Sequence, residues 1–202
     1  MTTEKKKNLP WQMHSNCGFL VKTVVKKSNV KEAGYGRFFL EPVKKGTVIH
    51  RIPTMPAAEY IKTFASIPDD QSHAIMVSSP KDLEALVDYF AEDDGDEDRS
   101  RSQITVMLSW FLSCRQSKEK VPSQIMSHSI VANHSKDNAT CQSVVENGYF
   151  TLVALKDIAE GQEMFTNYLT FDIAPELRDW FAARGLVDTR TLAERLDKES
   201  KQ

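Results

Sequence analysis

The chain has 202 residues, with 26 Lys and Arg against 28 Asp and Glu and a net charge of −2. That balance exerts no global pull toward nucleic acid, and 41% hydrophobic with 27% charged residues describes a folded globular chain, not a disordered one. No apolar run approaches the ~18 residues of a membrane helix, and three scattered cysteines, Cys17, Cys114 and Cys141, outline no disulfide framework.

Residues 1–16 read as a polar tail. Lys5-Lys6-Lys7 has no apolar run behind it, so it is not read as a secretory signal, and it is too short to mark a nuclear one. The expectation is a nuclear or cytoplasmic protein. Residues 18–26 alternate, with Phe19, Val21, Thr23 and Val25 on one face, which predicts a strand. Gly34-Tyr35-Gly36 predicts a turn. Residues 38–40 and 47–52 predict two more strands, separated by Glu41-Pro42-Val43-Lys44-Lys45-Gly46.

From about 54 to 120 the pattern predicts a helical insertion. Ser79-Pro80-Lys81-Asp82 has the form of an N-cap followed by Pro at the first helical position. Leu83, Leu86, Val87 and Phe90 then fall at helical spacing, and so do Ile104, Met107, Leu108 and Phe111. The acidic run from Glu92 to Asp98 between them predicts a solvated loop. Strands return at 149–155 and 163–166. A helix starting at Pro175 carries Leu177, Trp180 and Phe181 and closes at Gly185. Residues 189–202 predict a polar, fraying helix. No internal repeat is present.

Three segments carry possible chemistry. In Gly34-Tyr35-Gly36-Arg37 the glycines allow backbone to approach a ligand closely. Position 39 is Phe, so the dinucleotide-binding pattern is incomplete, and alone the segment is a plain turn. Asn133-His134-Ser135 offers several hydrogen-bond donors and acceptors, and alone it is a polar turn. Gly161-Gln162-Glu163-Met164-Phe165-Thr166-Asn167-Tyr168 ends on a tyrosine that alone suits a core edge. A zinc site is poorly supported, because His14-x-x-Cys17 is the one close pair of ligand types and no second pair completes it.

In this order, the three segments resemble the SET-domain family of protein-lysine methyltransferases. Gly34-Tyr35-Gly36-Arg37 is similar to the family's Gly-x-Gly motif, Asn133-His134-Ser135 to its Asn-His-Ser motif, and Gly161 to Tyr168 to its ending at a tyrosine. The resemblance runs from about 18 to 185. It implies an α+β, β-rich fold of short sheets with a threaded, knot-like active-site segment. The domain would span 17–170, with residues 171–202 as a C-terminal helical closure.

The resemblance also implies S-adenosyl-L-methionine as methyl donor and a lysine-bearing protein, a histone or another, as substrate, with no direct nucleic-acid or membrane partner. Gly34, Tyr35, Gly36, Arg37, Asn133, His134 and Trp180 would contact the cofactor. Phe165, Thr166 and Phe171 would line the lysine channel, and Tyr168 would be catalytic. Many members place a zinc-binding Cys shortly after Asn-His-Ser and three more beyond the tyrosine. Here Lys136 stands at the first position and no Cys follows Cys141, so no metal is expected. Trp180 and Phe181 could then close the channel. Thr166 is smaller than the Phe or Tyr of some members, which predicts room for a di- or trimethylated product. The rival readings are a SET-like binding module without catalysis and an unrelated α+β interaction protein.

Overall fold

The computed structural model describes residues 16–30, 33–67, 71–91, 101–105, 108, 112–113, 116–117, 124–126, 132–171 and 173–199. Met107, Phe111 and the acidic run at 92–98 lie outside these residues. Strands β1 (Thr23–Lys27) and β2 (Tyr35–Phe39) form an antiparallel pair. The long strand β3 (Val48–Pro56) leads into helix α1 (Ala57–Thr63), strand β4 (Ala74–Val77) and helix α2 (Pro80–Ala91). Helix α3 includes residues 101–105 and 108.

Short strands β5 (Leu112–Ser113), β6 (Gln116–Ser117), β7 (Gln124–Met126) and β8 (Asn133–His134) follow. The hairpin β9 (Cys141–Glu146) and β10 (Tyr149–Ala154) precedes β11 (Phe165–Thr166). A 3₁₀ turn at Tyr168–Thr170 and helices α4 (Pro175–Ala182) and α5 (Thr189–Glu199) complete the chain.

The largest sheet has the order β5-β7-β4-β3-β10-β9-β6. Strand β3 is its hinge, antiparallel to β10 and parallel to β4. The segment expected to be a helical insertion, about 54–120, is therefore mixed, since β4, β5 and β6 belong to the main sheet. Ala74-Ile75-Met76-Val77 is a four-residue apolar run, too short for periodicity to separate strand from helix. The helical part holds where periodicity was longest. Leu83, Leu86, Val87 and Phe90 are all buried, as are Ile104 and Leu108. The cap of α2 also forms: the Asp82 carboxylate accepts from the Ser78 and Ser79 amides at 2.8 and 3.0 Å.

Two cores result. One packs α1, α2 and α3 against Phe171, Leu177, Trp180 and Phe181. The other fills the concave side of the sheets with Phe39, Ile49, Ile52, Phe150, Leu152 and Met164. Burying one apolar side chain of this size contributes about 2 kcal/mol, so these two clusters outweigh any surface pair. Strand β9, absent from the sequence reading, is set by a two-residue hairpin. Asn147 and Gly148 take φ of 51° and 74°, the positive angles that match the twist of the flanking strands.

Candidate active site

The predicted turn at Gly34-Tyr35-Gly36 is half turn and half strand. Gly34 has φ of 69°, and Tyr35 already opens β2. Gly36 is required for a different reason. A Cβ there would lie 2.1 Å from Glu163 Oε1 and 3.2 Å from Asn133 Nδ2. The missing side chain is what lets the first motif press against the second and third.

Glu163 is the residue the sequence reading missed. It is buried, at 4% exposure, and its carboxylate gathers the site. Oε1 accepts from the Ser28 hydroxyl at 2.6 Å and from Asn133 Nδ2 at 2.7 Å, and Oε2 accepts from the Asn29 amide at 3.1 Å. Asn133 Nδ2 also donates to the Tyr35 carbonyl at 3.0 Å. A buried carboxylate is tolerated when such donors replace its water. With its amide nitrogen held by acceptors, Asn133 keeps its side-chain oxygen as an acceptor for a ligand. Glu163 forms an isolated bridge with Phe38 outside any strand, so no period marked it as inward-facing.

The second and third motifs meet as a parallel pair, β8 with β11, which sets Asn133 beside Phe165 and His134 beside Thr166. The Ser135 amide donates to the Thr166 carbonyl at 3.0 Å, and the Thr140 amide to that of Phe165 at 3.0 Å. Thr166 is buried and Phe165 half-buried. Chain turns into 3₁₀ conformation after Asn167, whose side chain accepts from the Leu169 amide at 3.0 Å.

That turn presents Tyr168. Its hydroxyl donates to the Ala132 carbonyl at 2.6 Å. Its ring stacks on Phe171 at 5.1 Å and lies 5.3 Å from the His134 ring. Its backbone amide donates to His134 Nδ1 at 3.1 Å. Desolvation, and then the neighbouring Cys141, push the Tyr168 phenol far above its ordinary pKa. The hydroxyl is therefore protonated throughout the physiological range. Its proton is committed to Ala132, and its oxygen keeps lone pairs for a second partner.

Two predicted cofactor contacts stand elsewhere. Arg37 is fully buried, with its guanidinium donating to Asn16 Oδ1 at 2.7 Å and Thr23 Oγ1 at 2.8 Å and lying 4.1 Å over the Phe19 ring. Its side chain locks β2 to β1 and the chain before it, and burial lowers its pKa to about 10. Arg37 is buried because β2 is covered on both faces, with Gly36, Phe38 and Phe39 buried as well. Trp180 lies in the helical core. Its indole donates to Glu84 Oε1 of α2 at 2.7 Å, its ring meets Phe181 edge-on, and Arg184 stacks over it at 3.9 Å while pairing with Glu84. None of these Trp180 contacts involves Gly34–Arg37 or Asn133–Tyr168. Among the described residues, no group of three His, Cys, Asp or Glu could hold a metal ion, and no helix is long and apolar enough to cross a membrane.

The site thus joins a glycine-bearing strand, a pinned asparagine and a protonated tyrosine in one place. The sequence pattern of the SET domain family matches residues 34–169, well over half of the chain. The chain belongs to that family.

Among solved structures, the chain is similar to "ctPRC2 in an autoinhibited conformation bound to S-adenosylmethionine", at 19% identity over 82% of this chain and 17% of that one, with a TM-score of 0.44. A humanized mutant of the Chaetomium thermophilum Polycomb Repressive Complex 2 bound to the inhibitor GSK343 is 19% identical, over 75% of this chain and 16% of that one, with a TM-score of 0.41. The active polycomb repressive complex 2 in its basal state gives 15% identity, over 73% and 15%, with a TM-score of 0.43. The chain spans about a sixth of the length of the chains it matches. No curated protein is significantly similar to it in sequence. Membership of the family rests on the match at 34–169.

Proposed function

We propose that this protein is an S-adenosyl-L-methionine-dependent protein-lysine N-methyltransferase acting on a histone tail or another lysine-bearing protein. The observation that carries the proposal is the Tyr168 phenol: protonated, anchored on Ala132, and seated beside the Asn133–His134 strand in a chain of the SET family.

The residues present suit the cofactor. Gly36 lets Glu163 and Asn133 close on β2, Gly34 has open space beside it, Tyr35 is exposed, and Asn133 has an amide already oriented by Glu163. Gly34, Tyr35, Gly36, Asn133 and the main chain of His134 would hold the methionine and adenine parts. The buried Glu163 carboxylate adds negative charge that favours a cationic ligand. Arg37 contributes its backbone and the rigidity of β2. Phe165, Thr166 and Phe171 would line the channel, and Trp180 would act by fixing α4 to α2. When bound, the cofactor supplies an electrophilic methyl group on a sulfonium.

The lysine amine must be neutral to accept a methyl group. With a reference pKa near 10.4, only about one lysine in a thousand is neutral at pH 7.4. An apolar channel disfavours the ammonium form and raises that fraction. Tyr168 then orients the amine or the methyl through its oxygen, since its own proton is held by Ala132. Most of the gain comes from alignment and fixed dipoles, not from a strong base. Thr166 leaves room for more than one methyl. Incubating the chain with radiolabelled cofactor and histones tests the reading: label on a lysine supports it, and cofactor binding without any label on histones or extract proteins would favour a non-catalytic module.

A further inference from the structure

We infer that Asp197 of helix α5 is a positioning residue for this reaction, acting through His134 on the turn that carries Tyr168. The inference rests on the methyltransferase reading for its kinetic consequence, but not for its geometry.

Three observations converge. The Tyr168 amide donates to His134 Nδ1 at 3.1 Å, so that nitrogen is an acceptor and the ring proton of neutral His134 must sit on Nε2. Nε2 is buried, has no hydrogen bond of ordinary length, and faces Asp197 Oδ1 at 3.5 Å. The other carboxylate oxygen of Asp197 lies 3.8 Å from Lys136 Nζ. Asp197 therefore addresses both the histidine of the second motif and the lysine that stands where many family members keep a zinc-binding cysteine.

The rest of α5 is fixed to the same turn. Arg190 donates to the Phe171 carbonyl at 2.8 Å, immediately beyond the turn. Asp188 caps the helix, accepting from the Thr191 amide at 2.9 Å and its hydroxyl at 2.7 Å. Ala193 is buried on the inner face, whereas Leu192 and Leu196 are exposed. A helix capped at one end and paired to His134 and Lys136 near the other braces the turn of Tyr168 from behind. The Tyr168 amide fixes the tautomer, and the carboxylate faces the resulting Nε2 proton and holds the ring in the plane that accepts that amide. Partners that orient a metal-ligating histidine are worth about one to two orders of magnitude, and the lower end of that range sets the scale for a ring with no metal.

The test compares the full chain with Asp197→Ala and Asp197→Asn. In the cofactor-free wild type, the ¹⁵N shifts of the His134 ring should report the tautomer protonated on Nε2, and in Asp197→Ala the Nε2 resonance should shift as its proton loses the facing carboxylate. With radiolabelled cofactor and a histone substrate, Asp197→Ala should lower kcat about tenfold with the cofactor KM changed less than twofold. Asn can still accept from Nε2, so Asp197→Asn should recover kcat to within threefold of wild type.

A wild-type ring protonated on Nδ1 would overturn the inference. So would unchanged kcat in Asp197→Ala, or equal loss in both variants with a shared rise in cofactor KM, which marks general loosening of the helix. If the tautomer is as stated but the wild type methylates nothing, the methyltransferase reading fails while the brace stands.

Discussion

The hydroxyl of Tyr168 donates to the carbonyl of Ala132, one residue before the Asn133–His134 strand, at 2.6 Å. This bond ties the end of the third motif to the start of the second. It also decides what the tyrosine can do: a phenol that keeps its proton and donates it in a hydrogen bond to a backbone carbonyl, in a desolvated place, acts as an oxygen acceptor and not as a phenolate base.

Tyr168→Phe should therefore lose ~10²-fold or more in methyl transfer, the usual cost of one preorganised polar group. Cofactor binding should survive, because Asn133 and Gly36 are untouched. The variant should also lose about 1–3 kcal/mol of stability, since the Ala132 carbonyl is left without its partner. Single-turnover kinetics and calorimetric titration with cofactor check the two halves.

Gly36→Ala should damage cofactor binding without touching a reacting group. The new methyl would meet Glu163 Oε1 at 2.1 Å. Glu163 can move only by giving up Ser28, Asn29 and Asn133. Cofactor affinity should fall about tenfold, as expected of a lost orienting shell, and stability by ~1–3 kcal/mol through overpacking. Calorimetry and thermal melts read both effects, and an unaltered affinity would remove the Glu163–Asn133 contact from the account.

Arg37→Ala should destabilise strongly and leave cofactor affinity within about threefold in the folded fraction. Asn16 and Thr23 would lose a buried donor and Phe19 its stacked guanidinium. A loss of ~3 kcal/mol is expected for breaking a buried network of this kind. Denaturant midpoints measure it, and a purely cofactor-linked defect would instead assign the guanidinium to the ligand.

Trp180→Phe should cost about 2 kcal/mol, the order of a hydrogen bond to a charged group such as Glu84. Its effect on cofactor affinity at saturating stability should be within twofold. A larger drop in affinity would return Trp180 to the cofactor site.

The Cys141 thiol is buried, donates to the Phe165 carbonyl at 3.4 Å, and is pushed by desolvation up to about 12. Its folded pKa lies above its unfolded one, so its contribution to stability is intact below pH 9 and is lost as pH rises toward 12. At pH 8 only about one thiol in ten thousand is ionised. Alkylation at pH 8 should therefore label Cys141 only as fast as the protein opens, and prompt labelling in the native state, read by peptide mass spectrometry, would contradict its burial.

Long patterns were legible in the sequence. The Leu83-to-Phe90 stripe, the Ser79–Asp82 cap and the Pro175 start all follow from local spacing and chemistry. The three motifs were legible too, because each needs particular residue types. What escaped was decided by tertiary context. Strand β4 is four apolar residues with no period. Arg37 reads as a polar turn residue until β2 turns it inward onto Phe19. Glu163 reads as an exposed charge until Gly36 and Asn133 close around it. The hairpin at Asn147-Gly148 carried a strong local signal that the sequence reading passed over.

The most direct measurement is a methyl-transfer assay with radiolabelled S-adenosyl-L-methionine, run on histones and on a cell extract with wild type and Tyr168→Phe in parallel, followed by mass spectrometry of the labelled protein. The account predicts methyl groups on a lysine side chain with wild type and ~10²-fold less with the variant. Equal labelling by both, or binding of cofactor by the wild type with no labelled lysine in any protein, would contradict it.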